Sequence, residues 1–511
     1  MSDLKSRASA VIASDRYQIS RAAPAPSPLA KPKAARMYES ARVSRLTSDW
    51  PVLTGSADNE LHTSLTRMVA RSRQLCRDNP YAKRARQIVV GNVIGGGIGL
   101  QAAVRKSRGA LNESINADIE SVWMDWTRAE ACHHAGKLHF CDMERLLLAE
   151  VFEAGEVLVR MHPEGASRDD VPLQLEIIEA ERLAHDYAVP STDSGNVVKM
   201  GVELDRKGRA VAYYIYQLHP NEYRMQPGMS QKLDRVPANQ IAHLHLTHRW
   251  PQTRGEPWMH AVIRRLHDMQ AYSDAEITAA RAAACYMGFI KSPDPQFAPN
   301  EADPAAPPEL QMEPGIVERL GAGEDFVAYT PTRPNAAMDS FIRLLVREIG
   351  SGADVPYEPL SGDYSQSNYS SSRLALIENR EHWRHLQRWY IRSFREPLHR
   401  LWLQSAVYAG AIPGIDQTQY ALNPRRFEAV AFKPRGWSWV DPTKEVQAYA
   451  DAVANGFMTV SQVIALTGNG VDLEDVLDER RRELDLADSK GIDLKIPRPG
   501  AAPTPEPPDG N

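Results

Sequence analysis

The sequence predicts an α+β chain. Two patterns carry this. A block of alternating apolar and polar residues runs from Glu156 to His248, and long stretches of helical periodicity lie on both sides of it. A Pro-rich stretch, Ser292 to Leu310, divides this mixed half from a mostly helical one.

The elements follow in order. Residues 1–36 form a basic arm with the Pro/Ala segment APAPSPLAKPK and are expected to be disordered. LHTSLTRMVARSRQLCRD repeats Leu65, Val69 and Leu75 at helical spacing, and Asn79-Pro80 opens a second helix with Pro at its first position. A third helix carries Leu111, Ile115, Ile119, Val122 and Trp126, and MERLLLAEVFEAG a fourth. The strands are EVLVRMH, LQLEIIEA, VKMGVELD, AVAYYIYQL and IAHLHLTH, with DRKG (Asp205 to Gly208) as a hairpin turn. In the second half, Pro257–Phe289 reads as one helix, and GIVERLGAGEDFVAYTP as two short strands around a Gly-Ala-Gly turn. A helix from Met338 to Ile349 follows. The longest helix, Ser372–Tyr408, is expected to bury Leu374, Ile377, Leu386, Trp389, Phe394, Leu398 and Leu401, and to kink at Pro397. Residues 441–490 read as a small helical unit and 491–511 as a loose Pro-rich tail.

The 511 residues are 43% hydrophobic and 24% charged, with a net charge of −5. That balance excludes a broadly cationic nucleic-acid coat, so any DNA contact is local. The four cysteines form no CxxC pair, which favours free thiols. No apolar run is long enough to span a bilayer, and MSDLKSRASAVIASDRY lacks a signal-peptide apolar region. A protein made in the cytoplasm is expected.

Four stretches invite chemistry. HLHLTHRWPQTRGEPW (His243 to Trp258) puts His243 and His245 on one strand face, as zinc ligands can be, although no HExxH is present. CHHAGKLHFC (Cys132 to Cys141) is rich in ligand types, but its Cys-x8-Cys spacing matches no zinc ribbon; an inter-helix loop is the plainer reading. GNVIGGGIG (Gly91 to Gly99) has a helix before it and a strand after, the reverse of a dinucleotide fingerprint, so the glycines end a helix. No GxxxxGK[ST] or GxSxG is present. SGDYSQSNYSSSR (Ser361 to Arg373) is different in kind. No Lys or Arg occurs between Arg347 and Arg373, while Asp354, Glu358 and Asp363 do. A neutral or acidic polar loop touches a polyanion without gripping it; a solvated surface loop is the bland alternative.

Taken in order, these motifs resemble the lambda-type portal proteins of tailed phages from about Met37 to the 410s. The resemblance is carried by MYESARVSRLTSDW and by RSRQLCRDNPYAKRARQIVVGNVIGGGIGLQ. It continues through GEVLVRM, LQLEIIEAERL and His245, Arg249, Gln252, Arg254, Gly255 and Pro257. PGIVERLGAGEDFVAYTPTRPNAAMDSF and DVPYEPLSGDYSQSNYSSSR complete it.

The resemblance implies a phage portal fold: an α+β wing (37–256), a helical stem (257–289 and 337–352) and a small clip hairpin (290–336). A channel loop (353–372), a long kinked helix with wing return (373–440) and a helical crown (441–490) complete it. It implies a homo-oligomeric ring, usually a dodecamer, at a capsid vertex of the virion, with no catalysis, cofactor, metal or membrane. Double-stranded DNA would pass without sequence readout along Tyr364, Ser365, Gln366, Ser367, Asn368 and Tyr369. The large terminase subunit would dock on clip residues such as Glu318, Arg319, Glu324 and Asp325. Major capsid, scaffold and head-completion proteins would be the other partners. Arg249, Gln252, Arg254 and Gly255 would hold a structural or inter-subunit turn, making the histidines structural. The competing reading is a metal-dependent nuclease using His243, His245 and the Cys132–Cys141 cluster.

Overall fold

The computed structural model describes residues 45, 54–106, 111–163, 171–222, 232–284, 288–291, 325–328, 338–366, 368–437, 442–467 and 473–492. Residues Met1–Gly55 and Ser56–Asn511 form separate compact units. Among the described residues, every helix and strand belongs to the second unit.

Helix α1 (Ala57–Asp78) starts where the Ser56 side chain accepts a hydrogen bond from the Asn59 amide. Asn79 ends it and caps α2 (Pro80–Val93), accepting from the amides of Tyr81 and Ala82, with Pro80 at the first position as expected. The glycine run then behaves as a helix stop. Gly95 and Gly97 take φ of +63° and +115°, and the chain enters β1 (Gly99–Ala102). Helices α3 (Glu113–Trp126) and α4 (Phe140–Ala154) follow. Strands β2 (Glu156–His162), β3 (Gln174–Ile178) and β8 (Ile241–His245) form an antiparallel sheet in the order β3-β2-β8. Strands β4 (Val197–Lys199), β5 (Val202–Leu204), β6 (Ala210–Tyr216) and β7 (Leu233–Pro237) form an antiparallel meander with the expected turn between β5 and β6. There the Asp205 carboxylate accepts from the amides of Lys207 and Arg209. Leu158, Ile178, Val202, Tyr213, Ile215, Val236 and Ile241 form one apolar cluster drawn from both sheets.

The second half departs from expectation in several places. Helix α5 runs Ile263–Ala284, short of Pro257–Phe289 at both ends. Residues 258–262 are spent on tight turns because Trp258 is buried, donating from Nε1 to the Ala353 carbonyl. Phe289 lies in strand β9 (Gly288–Lys291), which pairs antiparallel with β10 (Asp325–Ala328), Asp325 opposite Lys291. The DFVA strand therefore pairs with GFIK across the Pro-rich stretch; the GIVERL strand lies outside the described residues. Periodicity identifies a strand but not its partner.

Helix α6 (Met338–Gly352) leads to a short helix, α7 (Tyr357–Ser361), inside the stretch expected to be all loop. Pro356 precedes it and Pro359 sits in its first turn, where no backbone donor is needed. Gly362 at φ +72° ends it. The long helix comprises α8 (Tyr369–Tyr390), a π-helical turn (Ile391–Arg395) and α9 (Glu396–Ala409). Pro397 has no N–H to offer, and its ring would strike the carbonyl of a normal preceding turn; the wider π turn just before it relieves this. Leu386, Phe394 and Leu398 are buried as expected, but Leu374 is 69% and Ile377 47% exposed. Strand β11 (Val430–Lys433) returns to pair with β1. Three helices, α10 (Pro442–Ala454), α11 (Val460–Thr467) and α12 (Leu473–Ser489), form the C-terminal unit. Thr459 and Gln462 exchange side-chain bonds to each other's amides ahead of α11. No helix among the described residues is long and apolar enough to cross a membrane.

Candidate functional site: a polar loop on a buried ionic frame

The His243–Trp258 stretch ends strand β8 and wraps around one carboxylate, Glu156, the first residue of β2. Glu156 and Arg254 have side chains 1% and 3% exposed. Arg254 Nε lies 2.5 Å from Glu156 Oε1. Oε2 accepts from the Gly255 amide at 2.9 Å and faces His243 Nε2 at 2.9 Å. Arg254 also donates to the Met200 and Ala180 carbonyls, tying the turn to both sheets. Burial opposes the Glu156 charge, but Arg254 and His243 outweigh it and hold the carboxyl far below its ordinary range.

Gln252 Oε1 accepts from the His248 and Arg249 amides, and its amide group donates to the Arg254 carbonyl. Gly255 is needed because a Cβ there would run into the Gly155 carbonyl. The signature Gln252, Arg254 and Gly255 is thus a frame within the chain. Arg254 is 2% exposed, and the bonds above are made to its own chain, so the inter-subunit alternative does not fit it. Arg249 is half-exposed and meets Glu60 at 3.2 Å.

The metal reading of these histidines fails on geometry. His243 is engaged by Glu156. His245 Nδ1 lies 3.4 Å from the Leu246 carbonyl oxygen, turned to its own backbone. Cys132 is buried, with its Sγ against the Thr127 and Leu138 carbonyls at 3.5 and 3.7 Å. Cys141 lies in the first turn of α4, where the His139 Nδ1 cap accepts from its amide. Among the described residues neither cluster gathers three ligand atoms.

The polar loop spans 362–368, shorter than the 353–372 expected. Asp363 organises it. Its carboxylate accepts from the Ser365 hydroxyl (2.6 Å) and amide (3.0 Å) and from the Tyr357 hydroxyl (2.9 Å), and these bonds bring it down to about 2. Arg343 of α6 lies 3.6 Å from Asp363 and also pairs with Asp339, while the Arg347 guanidinium stands 5.2 Å over the Tyr357 ring. Both arginines before the loop are thereby occupied. Tyr364 is 61% exposed, and Ser365, Gln366 and Asn368 are exposed. Ser367 lies outside the described residues, and Tyr369 is the first residue of α8. Of the docking residues, Asp325 begins β10, and Glu318, Arg319 and Glu324 lie outside the described residues.

A second buried pair has no sequence signal. Arg395, ending the π turn, is 1% exposed. Its guanidinium lies 4.9 Å from the Trp123 and Phe140 ring centroids and donates to the Ile98 carbonyl. Its Nη1 is 3.3 Å from Glu144 Oε1, whose side chain is wholly buried. Next to it, His399 is 1% exposed with neither ring nitrogen hydrogen-bonded. Burial first, then Arg395 and Arg400, pull it down from 6.5 to about 4. A neutral buried histidine stabilises the fold above its unfolded pKa and loses that contribution as pH falls toward the folded value. Between pH 6.5 and 4, stability referable to His399 falls by roughly 3 kcal/mol. Denaturant titrations at pH 7 and 4.5 should show a smaller acid loss for His399→Leu than for the native chain; identical losses would exclude His399 as a contributor.

A family model described as phage portal protein, lambda family, matches residues 43–387. The chain is 27% identical over 461 residues to the probable portal protein of Halomonas phage phiHAP-1, covering 88% of this chain and 86% of that one. It is 22% identical over 490 residues to portal protein B of Escherichia phage lambda, covering 89% of each. Among solved structures it is similar to a chain of the virion of a native gene transfer agent particle, at TM-score 0.43 and 16% identity, over 79% of this chain and 94% of that one. A chain of the particle's neck, computed with C12 symmetry, gives TM-score 0.41 and 17% identity, over 78% and 93%.

Proposed function

The chain belongs to the lambda family of phage portal proteins, and we propose that it forms a ring, of twelve subunits, at one capsid vertex of a virion assembled in the host cytoplasm. Double-stranded DNA passes through this ring during packaging and ejection. The role is structural; the ATP-driven work belongs to the terminase, docked on 290–336, and head-completion, major capsid and scaffold proteins are the other neighbours. The match over 43–387 carries the reading.

Two features support it. The loop at 362–368 presents hydroxyls, amides and an acidic anchor, with both preceding arginines occupied, so it offers DNA contact without phosphate capture. Apolar side chains stand exposed on three helices: Ile277 (48%), Phe341 (42%), Leu344 (52%), Leu374 (69%) and Ile377 (47%). A neighbouring copy in a heterologous, closing ring would cover such a surface. The metal-dependent nuclease alternative has no support in the geometry of His243, His245, Cys132 or Cys141.

Negative-stain imaging with native mass determination tests the ring, and a paired variant tests the loop. The native protein should give rings with a central hole. Gln366→Lys with Asn368→Lys should give the same rings but fewer DNA-filled particles, because two added cations per subunit capture phosphates. Normal filling by the variant would sink the DNA-facing loop; a dispersed monomer in capsid-containing extracts would sink the ring.

A further inference from the structure

Three metal-ligating side chains that the portal reading leaves unused lie close together. His62 projects from the second turn of α1, and His185 and Asp186 lie in the loop between β3 and β4. The two imidazoles stack, with centroids 4.9 Å apart and planes at 11°. One ligand atom from each of His62, His185 and Asp186 lies within 4.8 Å of the others.

The tautomer of His185 gives the cluster its meaning. Its Nε2 lies 2.8 Å from the His62 carbonyl oxygen. A carbonyl only accepts, so Nε2 carries the proton and, in the neutral ring, Nδ1 carries a lone pair. That Nδ1 is buried and has no hydrogen-bond partner. A metal-ligating histidine is usually held this way, one nitrogen donating to a backbone carbonyl and the other left to the metal.

We propose that His62, His185 and Asp186 bind one divalent transition-metal ion of the zinc type. Two imidazoles and one carboxylate suit zinc, cobalt or nickel better than magnesium or calcium, which take oxygen ligands. Ligands about 2.0–2.2 Å from a tetrahedral zinc stand roughly 3.3–3.6 Å apart, so the side chains close by at most about 1.5 Å on binding. His62 and Asp186 are exposed and free to make that adjustment. Three protein ligands leave a fourth position for water. His185 and Asp186 also line a cleft of ≈320 Å³ whose walls include Glu181, Tyr216 and His219, so that position has solvent access. The ion would clip α1 to a loop 123 residues further along the chain. This rests on the geometry of the three residues, not on the portal reading.

The test uses full-length protein stripped with EDTA and titrated with zinc chloride, read by calorimetry, metal content after gel filtration, and thermal melting. One zinc per chain and a raised melting temperature are expected. His62→Ala and Asp186→Asn should each weaken binding at least about tenfold. Both sites are exposed, so both variants should keep the native circular dichroism spectrum. Cobalt should give visible d–d bands with the native chain that Asp186→Asn loses. Unchanged zinc affinity in both variants, or no zinc bound at about 100 μM free metal, would overturn the site.

Discussion

An Arg254→Ala chain is expected to lose about 3–5 kcal/mol of stability at neutral pH, read as a lower urea midpoint. The cost comes from what is left behind. Glu156 is 1% exposed and its Oε1 faces the Arg254 guanidinium; removal leaves a buried carboxylate held only by His243 and the Gly255 amide. The pH dependence identifies the mechanism. In the native chain the folded pKa of Glu156 is depressed from 4.5. Its contribution is therefore present above that value and is lost as pH falls through and below it. The gap between native and variant should narrow in acid. A Glu156→Leu/Arg254→Met pair, which buries no charge, should recover much of the loss. A deficit under about 1 kcal/mol for the single variant would show that the turn stands without its ion pair.

Arg395→Ala is expected to cost a similar ~3–5 kcal/mol by the same logic of an abandoned buried charge, and here too the deficit should be largest at neutral pH. Burial already raises Glu144 above its ordinary range, and Arg395 is the cation that counters it. Without Arg395 the carboxyl takes up a proton in the folded state. A raised carboxylate pKa stabilises below the unfolded value and is lost as pH rises through the folded one. The variant should therefore recover part of its deficit below pH about 4.5 and be weakest at neutral pH. Arg395→Lys should not restore the native melting temperature, because the planar guanidinium lies among the Trp123, Phe140 and Phe432 rings in a way an ammonium cannot copy. Full rescue by lysine would mean that charge alone matters there.

These two networks mark where sequence reasoning stops. Arg254 sits in a motif whose order is legible, yet its partner is 98 residues away at the start of another strand, and nothing in the spacing points to it. Glu144 and Arg395 carry no signal at all, since each sits in an ordinary-looking helical stretch. The His62–His185–Asp186 cluster is silent for the same reason, while the denser His and Cys runs point to positions that are structural. The long helix shows the same boundary. Its period correctly gives an apolar face, but Leu374 and Ile377 lie on a part of that face that this chain does not cover.

Local rules and order are enough for much of the rest. The Asn79-Pro80 cap, the helix stop at Gly95–Gly97, the Asp205 turn and the break before Pro397 are dictated by φ, donors and caps within a few residues, so they survive without tertiary context. The serial order of weak motifs points to the portal family, because order along the chain is itself a sequence property. Strand partners, charge partners and the cover of an apolar face are contacts through space between distant segments. Many chains share the same periods with different pairings, so only the tertiary fold decides them.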